Sequence, residues 1–170
     1  LYELFTLKKP AIAAINGHCT AGGFIVAMGC DYRIATDNPK AKMGMTEIKI
    51  GFGLTIAEME MVRFGLNSNR DLCDVMFEGE KFTFHQAYDL GYVNELVDEE
   101  RLIARCKEKI CGWMDLPGRA FMSLKEGIRY PVAQEIRRRL DSEDWITPLH
   151  ESINKPEVRS ILEIMVNSKG

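Results

Sequence analysis

Two short stretches carry residues suited to chemistry. Ala21-Gly22-Gly23 follows an apolar run with strand character and opens a second apolar run, Phe24 to Met28, long enough for two helical turns. Glycines at a helix entrance leave the backbone open to close approach. The N–H groups of the first turn point outward, with the positive end of the helix dipole behind them. Such a site can bind an oxyanion or an enolate, although a Gly pair there also serves tight packing with no ligand at all. The second stretch is Met43 to Gly51, in which Glu47 is the only carboxylate between Asp37 and Glu58. Apolar surroundings raise a carboxyl pKa and make it a general base near neutral pH. The competing reading is an exposed loop glutamate beside Lys49.

The elements that must position these groups are legible in outline. Ala11 to Ile15 and Tyr32 to Thr36 are short apolar runs bounded by turn residues, as expected of strands buried on both faces. A Gly-rich turn and a helix lie between them, so a parallel crossover is the economical connection. Lys42 to Met45 predicts another short strand. Helices follow: one around Ile56 to Phe64 stopped by Gly65, one capped by Asn69, and a short one from Phe84 to Leu90 ended by Gly91. Tyr92 to Val97 returns to alternation. Leu102, Ile103, Cys106, Ile110, Trp113 and Met114 then share one helical stripe, and the remainder is charged and helical, with breaks expected at Pro117, Pro131 and Pro156.

Composition narrows the function classes. The chain has 170 residues, 46% hydrophobic and 28% charged, with a net charge of −3. That is ordinary globular composition for one domain plus an appended helical layer. A pI near 5.7 provides no basic footprint, so duplex nucleic acid and a polybasic membrane contact are not expected. No apolar run reaches the roughly 18 residues of a membrane span. Cys19, Cys30, Cys73, Cys106 and Cys111 show no C-x-x-C pair or zinc spacing and read as reduced thiols of an intracellular compartment. Glu58 and Glu60 read as surface residues. His18, His85 and His150 read as non-catalytic, Met43, Met45, Met59 and Met61 as core filling or a deformable acyl pocket, and Arg137-Arg138-Arg139 as a solvated helix face.

A longer pattern emerges when these pieces are taken in order. Lys9-Pro10-Ala11-Ile12-Ala13-Ala14-Ile15-Asn16-Gly17, Ala21-Gly22-Gly23, Ala27-Met28-Gly29-Cys30-Asp31-Tyr32-Arg33-Ile34-Ala35 and the stretch around Glu47 resemble the crotonase (enoyl-CoA hydratase/isomerase) superfamily. Ala87, Gly91 and Val93-Asn94 are similar to a later segment of that family. The resemblance implies an α/β fold with a ββα spiral core over residues 1–97 and a helical trimerisation and acyl-CoA-covering region over 98–170. It implies an acyl-CoA substrate with no separate cofactor, no metal and no nucleic-acid partner, and a homotrimer or dimer of trimers. It also places one oxyanion donor on the Gly22 N–H, with Ala21, Gly23, Phe24 and Ile25 lining the substrate. The second donor and the first strands of the spiral would lie outside these residues. Because the chain opens Leu1-Tyr2-Glu3 without Met, it reads as processed or as the C-terminal portion of a larger protomer.

Within the superfamily, hydratases resemble one another in carrying two glutamates, and here the first of those positions holds Ile25 while the second is retained as Glu47. One carboxylate suffices for a 1,3-proton shift, so the resemblance is to the Δ3,Δ2-enoyl-CoA isomerases, mitochondrial in a eukaryote and cytoplasmic in a bacterium. Cys30 to Ile34, Asp37-Asn38-Pro39 and Trp113-Met114 before Pro117 add to the likeness as structural residues. The alternatives are a hydratase or other crotonase-type acyl-CoA enzyme, and a catalytically silent subunit with this fold.

Overall fold

The computed structural model describes residues 1–167. After a single helical turn, α1 (Tyr2–Phe5), the chain builds strand, strand, helix twice over. First come β1 (Ile12–Ile15), β2 (Cys19–Thr20) and α2 (Gly22–Gly29). Then follow β3 (Tyr32–Thr36), β4 (Lys42–Gly44), a 3-10 turn at Glu47–Ile50 and α3 (Ile56–Gly65). The first strand of each unit joins one sheet and the second strand joins another. β1 pairs parallel with β3, Ile12 opposite Tyr32 and Ile15 opposite Ala35, while β2 pairs parallel with β4, Cys19 opposite Met43. This is the ββα spiral of a crotonase-like α/β fold.

The rest of the chain completes and covers the two sheets. α4 (Asn69–Glu78) leads to β5 (Phe82–Thr83), which adds antiparallel to β4, and α5 (Phe84–Asp89) leads to β6 (Glu95–Val97), which adds parallel to β3. The orders are β1-β3-β6 and β2-β4-β5, so the outer edge of β1 carries no strand among the described residues. α6 (Leu102–Met114) packs on β1 and β3, followed by α7 (Ala120–Ser142), α8 (Ile146–Asn154) and α9 (Pro156–Asn167).

Several sequence expectations shift. Ser68, one residue before Asn69, caps α4 by accepting the Asp71 N–H at 3.1 Å, and Asn69 Oδ1 accepts from Arg63 instead. On α6 only Leu102 and Cys106 are buried, and Ile103 turns to solvent because it lies one residue off the stripe facing the sheet. Pro131 breaks nothing, since α7 runs unbroken through it. A helix-interior proline costs about 3 kcal/mol. Here the turns on both sides are fastened, by Lys125 and Arg129 before it and by buried Ala133 and Ile136 after it.

That fastening centres on Asp31, at the start of β3. Its Oδ2 accepts from the Ala11 N–H and from Lys125 Nζ, both at 2.7 Å, and its Oδ1 meets Arg129 Nη2 at 2.8 Å. Lys125 also donates to the Lys9 carbonyl, and Arg129 to the carbonyls of Phe5 and Gly29 at 3.0 and 2.8 Å. The three side chains are 5–8% exposed. Breaking a buried pair by removing one partner strands the others, at a cost of about 3–5 kcal/mol. Asp31→Asn is expected to lose stability of that order, read as a lowered urea midpoint with an unchanged slope.

Candidate active site

β2 and β4 lie side by side and run in the same direction, so whatever follows each strand emerges at the same end. Ala21 and Gly22 follow β2, and Glu47 follows β4 by three residues. The two turns are tied directly, because the Ala21 N–H donates to the Gly44 carbonyl at 3.0 Å. Gly44 sits at φ +150 with the Glu80 carbonyl where a Cβ would stand, so only glycine fits this crossing.

Ala21 is the N-cap of α2 at φ 55 and ψ −127, a conformation that L residues rarely adopt, and its side chain caps nothing. Its carbonyl accepts the Ile25 N–H, so Gly22, Gly23 and Phe24 carry the first-turn donors that have no partner within the helix. A Cβ at Gly22 would meet nothing within 4 Å, and one at Gly23 only Cys19 Sγ at 4.0 Å. Tight packing within the described residues therefore does not explain this pair. What the glycines provide is open space outside a helix N-terminus. Phe24 and Ile25, expected beside the substrate, turn inward to the core at 0% and 3% exposure, while Val26 is the open residue of that turn.

Glu47 begins the 3-10 turn and is half-buried, with its Oε2 accepting the Thr46 N–H at 2.8 Å. Burial pushes its carboxyl above the ordinary carboxylate range. The backbone N–H groups of Glu47 and Thr46 oppose the rise and the charge of Glu58 adds to it. Glu58 is the neighbour that sequence reading missed. It completes a capping box at the start of α3, accepting the Thr55 N–H and hydroxyl at 2.7 and 2.8 Å, and Glu60 beside it is largely buried next to Arg63. The signal was present as Thr55-x-x-Glu58 ahead of an apolar run.

The remaining candidates fall into structural roles. Met43, Met45 and Met61 are core residues, and Met59 packs against them. Arg137, Arg138 and Arg139 pair with Asp141, Glu135 and Glu143 on their own helix. His18 accepts the Lys42 N–H, and His85 makes an exposed contact with Asp37 at 2.7 Å. All five cysteines are unpaired. Among the described residues no three His, Cys, Asp or Glu side chains gather as a metal site, and no helix is long and apolar enough to cross a membrane.

The family model for enoyl-CoA hydratase/isomerase matches residues 1–160. The chain belongs to the enoyl-CoA hydratase/isomerase family. It is similar to the human protein "Enoyl-CoA delta isomerase 1, mitochondrial", with 27% identity across 99% of this chain and 56% of that protein. It is also similar to the short-chain-enoyl-CoA hydratase of Clostridium acetobutylicum, with 34% identity across 62% of this chain and 40% of that one. The crystal structure of human mitochondrial delta3-delta2-enoyl-CoA isomerase superposes with a TM-score of 0.86 at 27% identity, over 99% of this chain and 66% of that one. The chain thus spans about half the length of the curated relatives it matches most fully. For this member of the family, the paired strand ends of the spiral bring Gly22 and Glu47 to one edge, whereas Phe24 and Ile25 back them from the core.

Two outcomes follow from this geometry. Strain of the Ala21 type costs about 1–3 kcal/mol, and more for a β-branched side chain. Ala21→Val is therefore expected to lower the thermal midpoint and Ala21→Gly to leave it unchanged or raise it. For Glu47, a folded pKa above the unfolded one means that the folded state holds its proton longer, so stability is full below the unfolded pKa and falls as pH rises through the folded value. Glu47→Gln should match the parent in urea unfolding near pH 4 and equal or exceed it at pH 7.

Proposed function

We propose that the protein is a Δ3,Δ2-enoyl-CoA isomerase, moving the double bond of a 3-enoyl-CoA to the 2-trans position. The observation that carries this reading is one half-buried, pKa-raised glutamate beside an open helix N-terminus, with apolar Ile25 buried where a hydratase would place a second glutamate. The C2 proton of a 3-enoyl thioester is acidified by the carbonyl and by the adjoining alkene. Ionised Glu47 removes it, and the electron pair spreads through a dienolate onto the thioester oxygen. The Gly22 N–H, with the α2 dipole behind it, holds that oxygen. The protonated Glu47 then returns the proton at C4, which leaves the double bond between C2 and C3 and restores the carboxylate.

Burial around Glu47 raises the base toward the working pH. Ile25 offers no carboxylate to orient a water, which disfavours hydration. Glu58 acts on Glu47 through its charge while its Oε2 accepts both the Thr55 N–H and the Thr55 hydroxyl. The reading carries with it an acyl-CoA substrate whose CoA is part of that substrate, no resident cofactor, a homotrimer or dimer of trimers, and a role in fatty-acid oxidation. The compartment would be the mitochondrial matrix in a eukaryote and the cytoplasm in a bacterium.

A hydratase is the second reading, supported by the likeness to the Clostridium enzyme and by the nearness of a second carboxylate, Glu58. Glu47→Gln in the intact protein is expected to slow isomerisation of 3-hexenoyl-CoA by about 10²–10⁴-fold with acyl-CoA binding retained. The assay follows absorbance of the conjugated thioester. Turnover that survives the substitution overturns the assignment. Faster formation of 3-hydroxyacyl-CoA from a 2-enoyl-CoA selects the hydratase, and an intact protein inert to every enoyl-CoA selects the silent subunit.

A further inference from the structure

The opposite end of α2 from Gly22 faces a second opening. Its eight residues rise about 12 Å along the helix axis, which separates the two places. A cleft of about 380 Å³ lies between the C-terminal ends of α2 and α3 and the first turns of α7. Arg33, Lys125 and Arg129 line it, each 5–8% exposed, with Asp31 among them. Phe64, Phe121, Leu124 and Ile128 provide apolar walls, and Leu124 and Ile128 are more than 60% exposed.

The charges in this cleft do not balance. Both oxygens of Asp31 are taken by Lys125, Arg129 and the Ala11 N–H. That offsets one cation of three. Cys30, which also lines the cleft, adds no negative charge because burial, reinforced by Asp31, pushes its thiol up. Arg33 gives its Nε to the Tyr92 carbonyl at 2.7 Å, and its two η nitrogens have no partner among the described residues. A guanidinium that is nine-tenths buried with a free fork is shaped for a carboxylate. The cationic floor and apolar walls together fit an anion with an alkyl body, and the volume lies within the range of small-molecule sites.

We propose that this cleft is a second ligand site, separate from the Gly22 and Glu47 edge, that binds a medium-chain monocarboxylate. The carboxylate takes the η nitrogens of Arg33, and the alkyl chain lies along Phe121, Leu124 and Ile128. The proposal stands apart from the isomerase assignment and does not depend on it. Phe121 stacks on Trp113 with ring centroids 4.5 Å apart, so a ligand in the cleft perturbs a tryptophan.

The test titrates sodium octanoate into intact protein carrying Trp145→Phe at constant ionic strength, reading Trp113 fluorescence. A saturable change is expected, weakened tenfold or more by Arg33→Gln, weakened less by Arg33→Lys, and unaffected by Glu47→Gln. Leu124→Glu places a like charge on an exposed wall and should also weaken binding tenfold, which keeps the test valid if Arg33→Gln fails to fold. The proposal is overturned by the lack of a saturable change. It is equally overturned by octanol binding as tightly as octanoate, or by undiminished binding in Leu124→Glu and in Arg33→Gln where that variant folds.

Discussion

One buried carboxylate organises this molecule. Asp31 stands where α2 ends and β3 begins, and its three bonds reach the start of β1 and two successive turns of α7. The cations that answer it go on to hold the carbonyls of Phe5, Lys9 and Gly29, so segments from the first and last thirds of the chain meet at one charge. Arg129 also lies over the rings of Phe5 and Phe64, 4.6 and 5.1 Å from their centroids. Such a cluster is costly to desolvate and so contributes less to net stability than its bond count implies. Moving any one of these segments away leaves a buried charge without its partner.

The edge that carries Gly22 and Glu47 inherits its precision from that arrangement. Its two chemical groups come from separate repeats of the ββα unit, which only the parallel pairing of β2 with β4 brings to a common end. That pairing spans two residues on each strand, so the site relies on the surrounding core: Phe24, Met28 and Met43 are wholly buried behind it. The unfavourable conformation of Ala21 is sustained in the same way, by the Gly44 carbonyl on one side and the rigid start of α2 on the other.

Much of this was legible in the sequence, and the exceptions have physical causes. β1, β3 and α2 showed through because apolar runs between turn residues leave few alternatives, whereas the local sequence left Glu47 open between a buried base and an exposed loop residue. A two-residue strand such as β2 has no periodicity to detect. Ser68 and Asn69 are adjacent capping residues, and the choice between them is made by which carries the extended backbone of an N-cap. Lys125, Arg129, Ala133 and Ile136 form one buried stripe on α7, but hydropathy alone assigns its first half to solvent. Nothing local reveals that Lys125 and Arg129 point at an aspartate 94 residues or more away in sequence. The family resemblance sets Phe24 and Ile25 beside the substrate, whereas the turn of the helix sends their side chains into the core.

The outer edge of β1 bears on association. The strand reads Ile12-Ala13-Ala14-Ile15 and meets no other strand on that side among the described residues, so an extended segment can join its ladder there. Lys8, Lys9 and Pro10 stand immediately before it, two exposed positive charges and a residue unable to donate to a ladder. Flanking residues of this kind act as gatekeepers against cross-β growth. Where this edge is left open, repulsion between these charges on neighbouring copies is screened over about 8–10 Å at ordinary ionic strength, so association there depends on salt.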